Sequence, residues 1–511
     1  MKKIITLFTL CLIGTLSFAQ QAPAIEWQKC LGGTSSDYAY SIQPTTDGGF
    51  IMAGAVFSFD GDVTGNHAYE DAWVVKISST GSLQWQKTLG GTASDYAQSI
   101  QPTIDGGYIM AGYTFSTNGD IAGNHGGVDA WVVKLSSTGS IQWQKTFGGA
   151  AADYAFCIQP TVDGGYIMAG QTISTDGDVI GNHGGRDAWV VKLSSTGSLE
   201  WQKALGGIGS DYAFCIQPTI DGNYIVVGYT FSNDGDVTGN HGDRDAWAVK
   251  LNNSGTLQWQ KTIGGTGSDY AFCIQSTSDG GYIMAGSTDS INGDVSGNYG
   301  SQDAWVVKLN SMGNLQWQKA LGGSAYDEAQ SIQSTADGGY IIAGKTLSID
   351  GIFTENHGNY DAWVVKLNST GSLQWQKALG GTGNDYANSI QQTSDLSYIM
   401  AGYTQSNNGN VNGNHGYTDY WVVKLTPELA TSTFINQGLT LYPNPTNGLL
   451  QLHTPNNTSF NKIIITDNTG KTVLEQTQNT TQFDVEKLAS GLYIIKAFSG
   501  EEVFVNKFVK E

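Results

Sequence analysis

An all-β fold, a seven-bladed β-propeller followed by a small C-terminal β-sandwich, is predicted by two features of the sequence. A unit of 58 residues recurs seven times without insertion or deletion, and each unit holds four short strand-like runs separated by turn chemistry. The triplet WQK marks the recurrence at Trp27, Trp85, Trp143, Trp201, Trp259, Trp317 and Trp375. Composition agrees: 68 Gly against 9 Pro implies many tight turns and few rigid linkers, while 14 Trp and 24 Tyr favour strands.

Residues 1–19 read as a signal peptide: Lys2 and Lys3, an apolar run from Ile4 to Leu16, then Ser17-Phe18-Ala19, with cleavage expected after Ala19. Cys11 lies inside the apolar run with further apolar residues after it, which argues against a lipid anchor. No later segment is long and apolar enough to span a bilayer, so no membrane insertion of the mature chain is expected.

The propeller is expected over residues 25–425. In the second unit the strands are Tyr96 to Thr103, Tyr108 to Thr114, Ala130 to Leu135 and Ile141 to Phe147. Asp105-Gly106-Gly107 makes the first hairpin, a long polar loop joins the second and third strands, and Ser137-Thr138-Gly139-Ser140 makes the second hairpin. The first unit enters on a lone WQK strand, Ile25 to Leu31, and the last leaves after Trp421 to Leu425 without one. Pairing those two ends would complete the seventh blade and remove two exposed edges. All fourteen tryptophans fall at two sites, WQK and DAW (Trp73 and every 58th residue to Trp421), and read as blade-to-blade packing. Cys157, Cys215 and Cys273 share one repeated site with Ser41, Ser99, Ser331 and Ser389, which fits a small buried residue better than a disulfide framework. Residues 426–438 read as a linker, and 439–511 as a sandwich of about seven strands.

A net charge of -20 works against nucleic acid and anionic membranes as partners, because phosphate contacts need clustered Lys and Arg. Alternating strand direction puts the GG crossover before each inner strand and the long GDVxGNHG loop on one face of the ring. That face gathers the binding candidates: Asp37, Asp95, Asp153, Asp211, Asp269, Asp327 and Asp385 at the start of each inner strand, and His67, His125, His183 and His241 in the long loops. The end of that loop varies most between units, from Glu70 and Val128 through Arg186 and Arg244 to Gln302, Tyr360 and Thr418. Its oxygens also fall at positions one, three, seven and twelve of a calcium-wrapping pattern: Asp60, Asp62 and Asp71; Asp176, Asp178, Asn182 and Asp187; Asp234, Asp236 and Asp245. Position twelve is Asp instead of Glu and no helices flank the loop, so Asx-turns explain the same residues without an ion. Calcium is the one cofactor the spacing admits. The histidines each stand alone on their own blade, with Tyr299 in place of a seventh, too far apart for a zinc site, and no catalytic constellation breaks the symmetry, so no enzyme is expected.

The units, with WQKxLGG, DYAxSIQ, DGGYIMAG and DAWVVKL, resemble the seven-bladed propeller repeats of secreted bacterial proteins. The C-terminus resembles the type A sorting domain of the type IX secretion system of Bacteroidetes, through Pro443, Asn444, Pro445 and Gly448, then Gly470, then Gly491 and Tyr493, then Lys510. That resemblance implies Sec export, recognition of residues 439–511 by the type IX machinery, and removal of the domain with surface attachment or release. The resulting expectation is a monomeric, non-catalytic propeller, secreted or on the outer cell surface, that binds a glycan, protein or surface through its loop-rich face. The rivals are a polysaccharide lyase or glycosidase and a calcium-stabilised surface-layer protein.

Overall fold

The computed structural model describes residues 21–353, 355–428, 439–453, 460, 462–467, 471–477, 481–499 and 502–511. The expected signal peptide, most of the linker and Gly470 lie outside them. The chain divides into two compact units, one ending at Pro427 and one beginning at Glu428.

The first unit consists of seven four-stranded antiparallel sheets. In the second blade the inner strand is Asp95–Pro102, followed by Tyr108–Thr114, Asp129–Leu135 and the outer strand Ile141–Phe147. Hydrophobic residues face both sides of the second and third strands, since each sheet is covered by a neighbouring blade on either face. The seventh blade has the order Ile25–Leu31, Asp419–Leu425, Tyr398–Thr404, Asp385–Gln392, so the entering strand closes the ring in the register Ile25↔Leu425 through Leu31↔Tyr420.

The DAW tryptophans form the core: Trp73, Trp131, Trp189, Trp247, Trp305, Trp363 and Trp421 are the largest fully buried side chains. Burying each contributes roughly 3 kcal/mol relative to solvent exposure. The WQK tryptophans are half-buried apart from the buried Trp375, and they clamp the next blade; Trp85, for example, lies 6.0 Å from the Tyr108 ring. On the short-hairpin face a buried lysine in every third strand reaches the Asp of the first hairpin, as Lys134 does to Asp105 at 2.8 Å. Such a lysine is tolerated inside because its ammonium also donates to Leu135 O and Gln142 Oε1.

The shared Ser/Cys site has a definite task. Ser41 and Ser99 accept from Ile100 N and Ile158 N of the next blade at 3.3 and 3.2 Å, and Cys157 takes the same place beneath Ile216 N at 3.5 Å. Cys157, Cys215 and Cys273 are free thiols standing in for hydroxyls in a ring of blade-to-blade bonds.

The second unit holds a three-stranded sheet and a four-stranded sheet around a core that includes Leu450, Ile463, Phe483, Ile495 and Phe508.

Candidate functional site: the channel mouth

The inner-strand aspartates lie at the loop-face end of their strands but are buried beneath it. Asp37, Asp95, Asp153, Asp211, Asp269, Asp327 and Asp385 are all 0% exposed, which corrects their reading as surface binding groups. Asp37 accepts from Gly33 N, Phe57 N, Ser58 N and Ser58 Oγ at 2.7 to 3.2 Å, pinning the crossover to the end of the second strand. Burial pushes its carboxyl up, and the Ser58 and Gly33 bonds oppose that shift.

The loop histidines are also engaged. His67, His125, His183 and His241 place Nδ1 2.5 to 2.7 Å from Oδ2 of Asp71, Asp129, Asp187 and Asp245. Their backbone N–H groups donate to the same oxygens, so each pair closes the base of its loop.

The oxygens of the calcium pattern point to separate partners. Asp60, Asp176 and Asp234 accept from Thr34 N, Ala150 N and Ile208 N at 2.8 to 2.9 Å. Asp62, Asp178 and Asp236 accept from Gly32 N, Gly148 N and Gly206 N at 3.3 Å. Asn182 Nδ2 donates to Ser174 O, and its Oδ1 accepts from Gly184 N. Among the described residues no three His, Cys, Asp or Glu side chains gather as a metal site requires. Asp71, Asp187 and Asp245 each keep one buried oxygen, Oδ1, without a partner.

A second set of differences around the ring lies deeper, in the channel. The inner strands converge on the axis, and one residue per blade forms a waist: Tyr40, Gln98, Phe156, Phe214, Phe272, Gln330 and Asn388. This is the x of DYAxSIQ. The waist divides an upper chamber of about 490 Å³ from a lower one of about 280 Å³. Glutamines, among them Gln43, Gln101 and Gln159, line the lower chamber beside the Ser/Cys ring. The upper chamber opens towards the loop face, because the strands carry Asp37 at that end and Pro44 at the other.

The upper chamber has two unlike walls. On three consecutive blades Phe156, Phe214 and Phe272 form an apolar arc, with ring centroids 5.2 and 5.6 Å apart. Tyr154, Tyr212 and Tyr270 stack above them at 5.8 to 6.1 Å. On the sixth blade the cross-strand pair is Glu328↔Lys345, where the second and seventh have Tyr96↔Tyr113 and Tyr386↔Tyr403. Lys345 Nζ lies 3.1 Å from Glu328 Oε1 and 5.4 to 5.7 Å from the ring centroids of Tyr326, Tyr360 and Tyr386. Tyr326 OH and Gln330 Nε2 also donate to the Glu328 carboxylate. Burial first, then the Glu328 charge, pushes the Tyr326 and Tyr360 phenols up, so they remain donors.

The variable end of the long loop supplies the rim. Glu70 accepts from Tyr96 OH at 2.7 Å, and Arg244 lies 4.6 Å over the Phe231 ring while donating to Tyr270 OH at 2.7 Å. The variability of the loop ends is legible in the sequence; that the x residues meet as a waist and that Glu328 pairs with Lys345 is not. Alignment of the seven copies of DYAxSIQ carries the missed signal, because x takes four identities and the Tyr becomes Glu328 once.

In the second unit the separated C-terminal motifs meet. Asn444 donates to Lys507 O at 3.0 Å and accepts from Val509 N at 2.9 Å, tying the Pro443-Asn444-Pro445 turn to the last strand, Glu502–Lys510. Gly448 O accepts from Val485 N. Tyr493 donates to Ala489 O at 2.8 Å and stacks on Phe508, while Gly491 pairs with Lys510, itself buried. Residues 440–511 match the family model of the secretion system C-terminal sorting domain. The C-terminal unit is that sorting domain. It marks the chain for type IX export to the cell surface or extracellular space, and no helix among the described residues is long and apolar enough to cross a membrane.

More distant similarities extend beyond the sorting domain. A regulatory protein, FlaEY, of Caulobacter vibrioides is 24% identical over 291 residues, covering 50% of this chain and 30% of that protein. The extracellular domain of the putative hybrid two-component system BT4673 of B. thetaiotaomicron is 10% identical, with a TM-score of 0.41 over 96% of this chain and 60% of that one. PorZ, a surface component of the type IX system of Porphyromonas gingivalis, is 10% identical, with a TM-score of 0.21 over 93% of each chain. The chain thus spans under two thirds of the first two relatives, and at these identities and scores neither structure ties a function to it.

Proposed function

We propose that the protein is a non-catalytic binding propeller, delivered to the outer surface or the medium by its sorting domain, that holds an extracellular ligand in the upper channel chamber on the loop face. One observation supports this most directly: the frame repeats almost unchanged through seven blades, while the residues facing the chamber differ from blade to blade. A channel serving only to close the ring would have no use for such differences. A chamber of about 490 Å³ with an apolar arc and a few polar groups has the size and make-up of a small-ligand pocket. Glycans suit it, since aromatic rings can cover C–H faces while amides and phenols meet hydroxyls.

The test is a combined glycan and peptide array probed with the chain from Gln20 to Glu511, in parent form and as the Phe156→Ala/Phe214→Ala variant. Retention that the variant loses supports the reading, whereas retention unchanged in the variant moves the site elsewhere. The singular Glu328, with Tyr326 beside it, favours a second reading as acid–base catalyst on polysaccharide. Against it, Tyr326, Gln330 and Lys345 already occupy the Glu328 carboxylate. Sugar release from a bound polysaccharide that Glu328→Gln abolishes would establish the enzyme instead.

A further inference from the structure

The channel rim collects every cation that departs from the repeat. All propeller lysines except Lys345 occupy the WQK site or the DAWVVK site, and the whole chain has only two arginines, Arg186 and Arg244. Arg186 and Arg244 hold the same loop position on adjacent blades, and their carbonyls accept from Asp211 N and Asp269 N, which places both residues directly above the next inner strand. Lys345 sits inside the mouth on the sixth blade. Off-pattern acids stand at the same mouth, Glu70, Asp243, Asp289 and Glu328, so the three cations are individual anchoring points and not a positive field.

Their states of engagement differ. Lys345 is paired with Glu328, and Arg244 is held by Asp243 at 3.2 Å and by Tyr270. Arg186 is exposed, and its guanidinium has no hydrogen-bond or ion-pair partner among the described residues. Of the other acids, Glu70 is taken by Ser94 and Tyr96, Glu328 by Tyr326 and Gln330, and Asp289 accepts from Ser268 N. An incoming anion would therefore meet the unpaired guanidinium of Arg186 one blade away from Arg244, whose hydrogen bond to Tyr270 connects it to the arc because Tyr270 stacks on Phe272.

Resting on the channel-mouth reading above, we infer that the ligand is an anionic glycan, its carboxylate or sulfate received at Arg186 and Arg244 and its sugar ring lying against the phenylalanine arc. Guanidinium suits these groups because its planar fork pairs with two oxygens at once. At the waist the amides of Gln98, Gln330 and Asn388 can meet sugar hydroxyls beside a ring laid on the arc, although Gln330 and Asn388 each already spend one N–H on Glu328 and Ala39 O.

The chain from Gln20 to Glu511 is to be tested on uronate-, sialate- and sulfate-bearing oligosaccharides, their neutral counterparts, and acidic peptides. Retention of acidic glycans over neutral ones is expected, weakening as salt is raised. Arg186→Gln should weaken binding about tenfold without lowering the melting temperature, as its side chain is exposed. Equal retention of neutral glycans, retention of acidic peptides alone, or an unchanged Kd in Arg186→Gln would overturn the inference. Phe214→Ala separates the two levels: if it abolishes binding that ignores ligand charge, the mouth stands and the anionic preference falls. Binding untouched by both variants, or none at all, removes both.

Discussion

At Gly90 a methyl group has nowhere to go. A Cβ there would lie 2.7 Å from Asp71 Oδ1 and 2.5 Å from Asp95 Oδ2, so two buried carboxylates converge on the bare Cα of the crossover. Gly90→Ala is expected to destabilise the chain by about 2–4 kcal/mol, measured by denaturant unfolding; a change under 1 kcal/mol would contradict this close approach. The same carboxylates set a pH dependence. Burial holds Asp71, Asp303 and Asp419 up at about 6 in the folded chain, against about 3.9 when unfolded. The folded state thus takes up protons first as pH falls from 7 to 5, and stability rises over that interval. Asp105, Asp163 and Asp279 behave oppositely: burial pulls them up, but hydrogen bonds from a lysine and a threonine outweigh it and hold them at about 2. Their contribution is lost as pH drops below about 4. The melting temperature should therefore peak between about pH 4 and 5; a maximum above pH 7 would refute the assignment. Chelator should leave the melting curve unmoved, because the aspartates of the long loop already bind backbone N–H groups.

Among the elements, the strand Ile25–Leu31 is the one that closes the ring. Deleting residues 25–31 exposes the edge of Asp419–Leu425 along its whole ladder, and the product should melt lower and associate on size-exclusion chromatography. A variant that stays monomeric with an unchanged melting point would show that closure adds nothing. This joint was legible because the WQK strand is surplus at one end of the array and absent at the other. Strand positions were legible for a similar reason: Tyr108–Thr114 and Ile141–Phe147 lie between Gly-bearing turns that fix their ends. The burial of Asp37 was not. An Asp beside a Gly-rich crossover suits an exposed turn as well as a buried cap, and only the approach of Ser58 from 21 residues away decides between them. The waist escaped for another reason: alternation says which residues share a face, but not that seven such faces meet on one axis.

For the whole molecule, the two units divide transport from recognition. Removing residues 440–511 should keep the propeller folded but retained in the cell, read by fractionation and by an unchanged melting transition of the purified product. Appearance of the truncated chain at the surface would contradict the sorting role. The register Ile25↔Leu425 carries a further consequence. The two residues that meet at the seam are 400 positions apart, so the ring cannot be sealed until its final strand exists, and the loop to be closed is the longest the propeller allows. The first segment of the propeller to emerge during synthesis is therefore the last to find its neighbours. In the interval it is an unpaired strand beside six blades able to form without it, an open clasp with an exposed edge until Asp419–Leu425 arrives beside it.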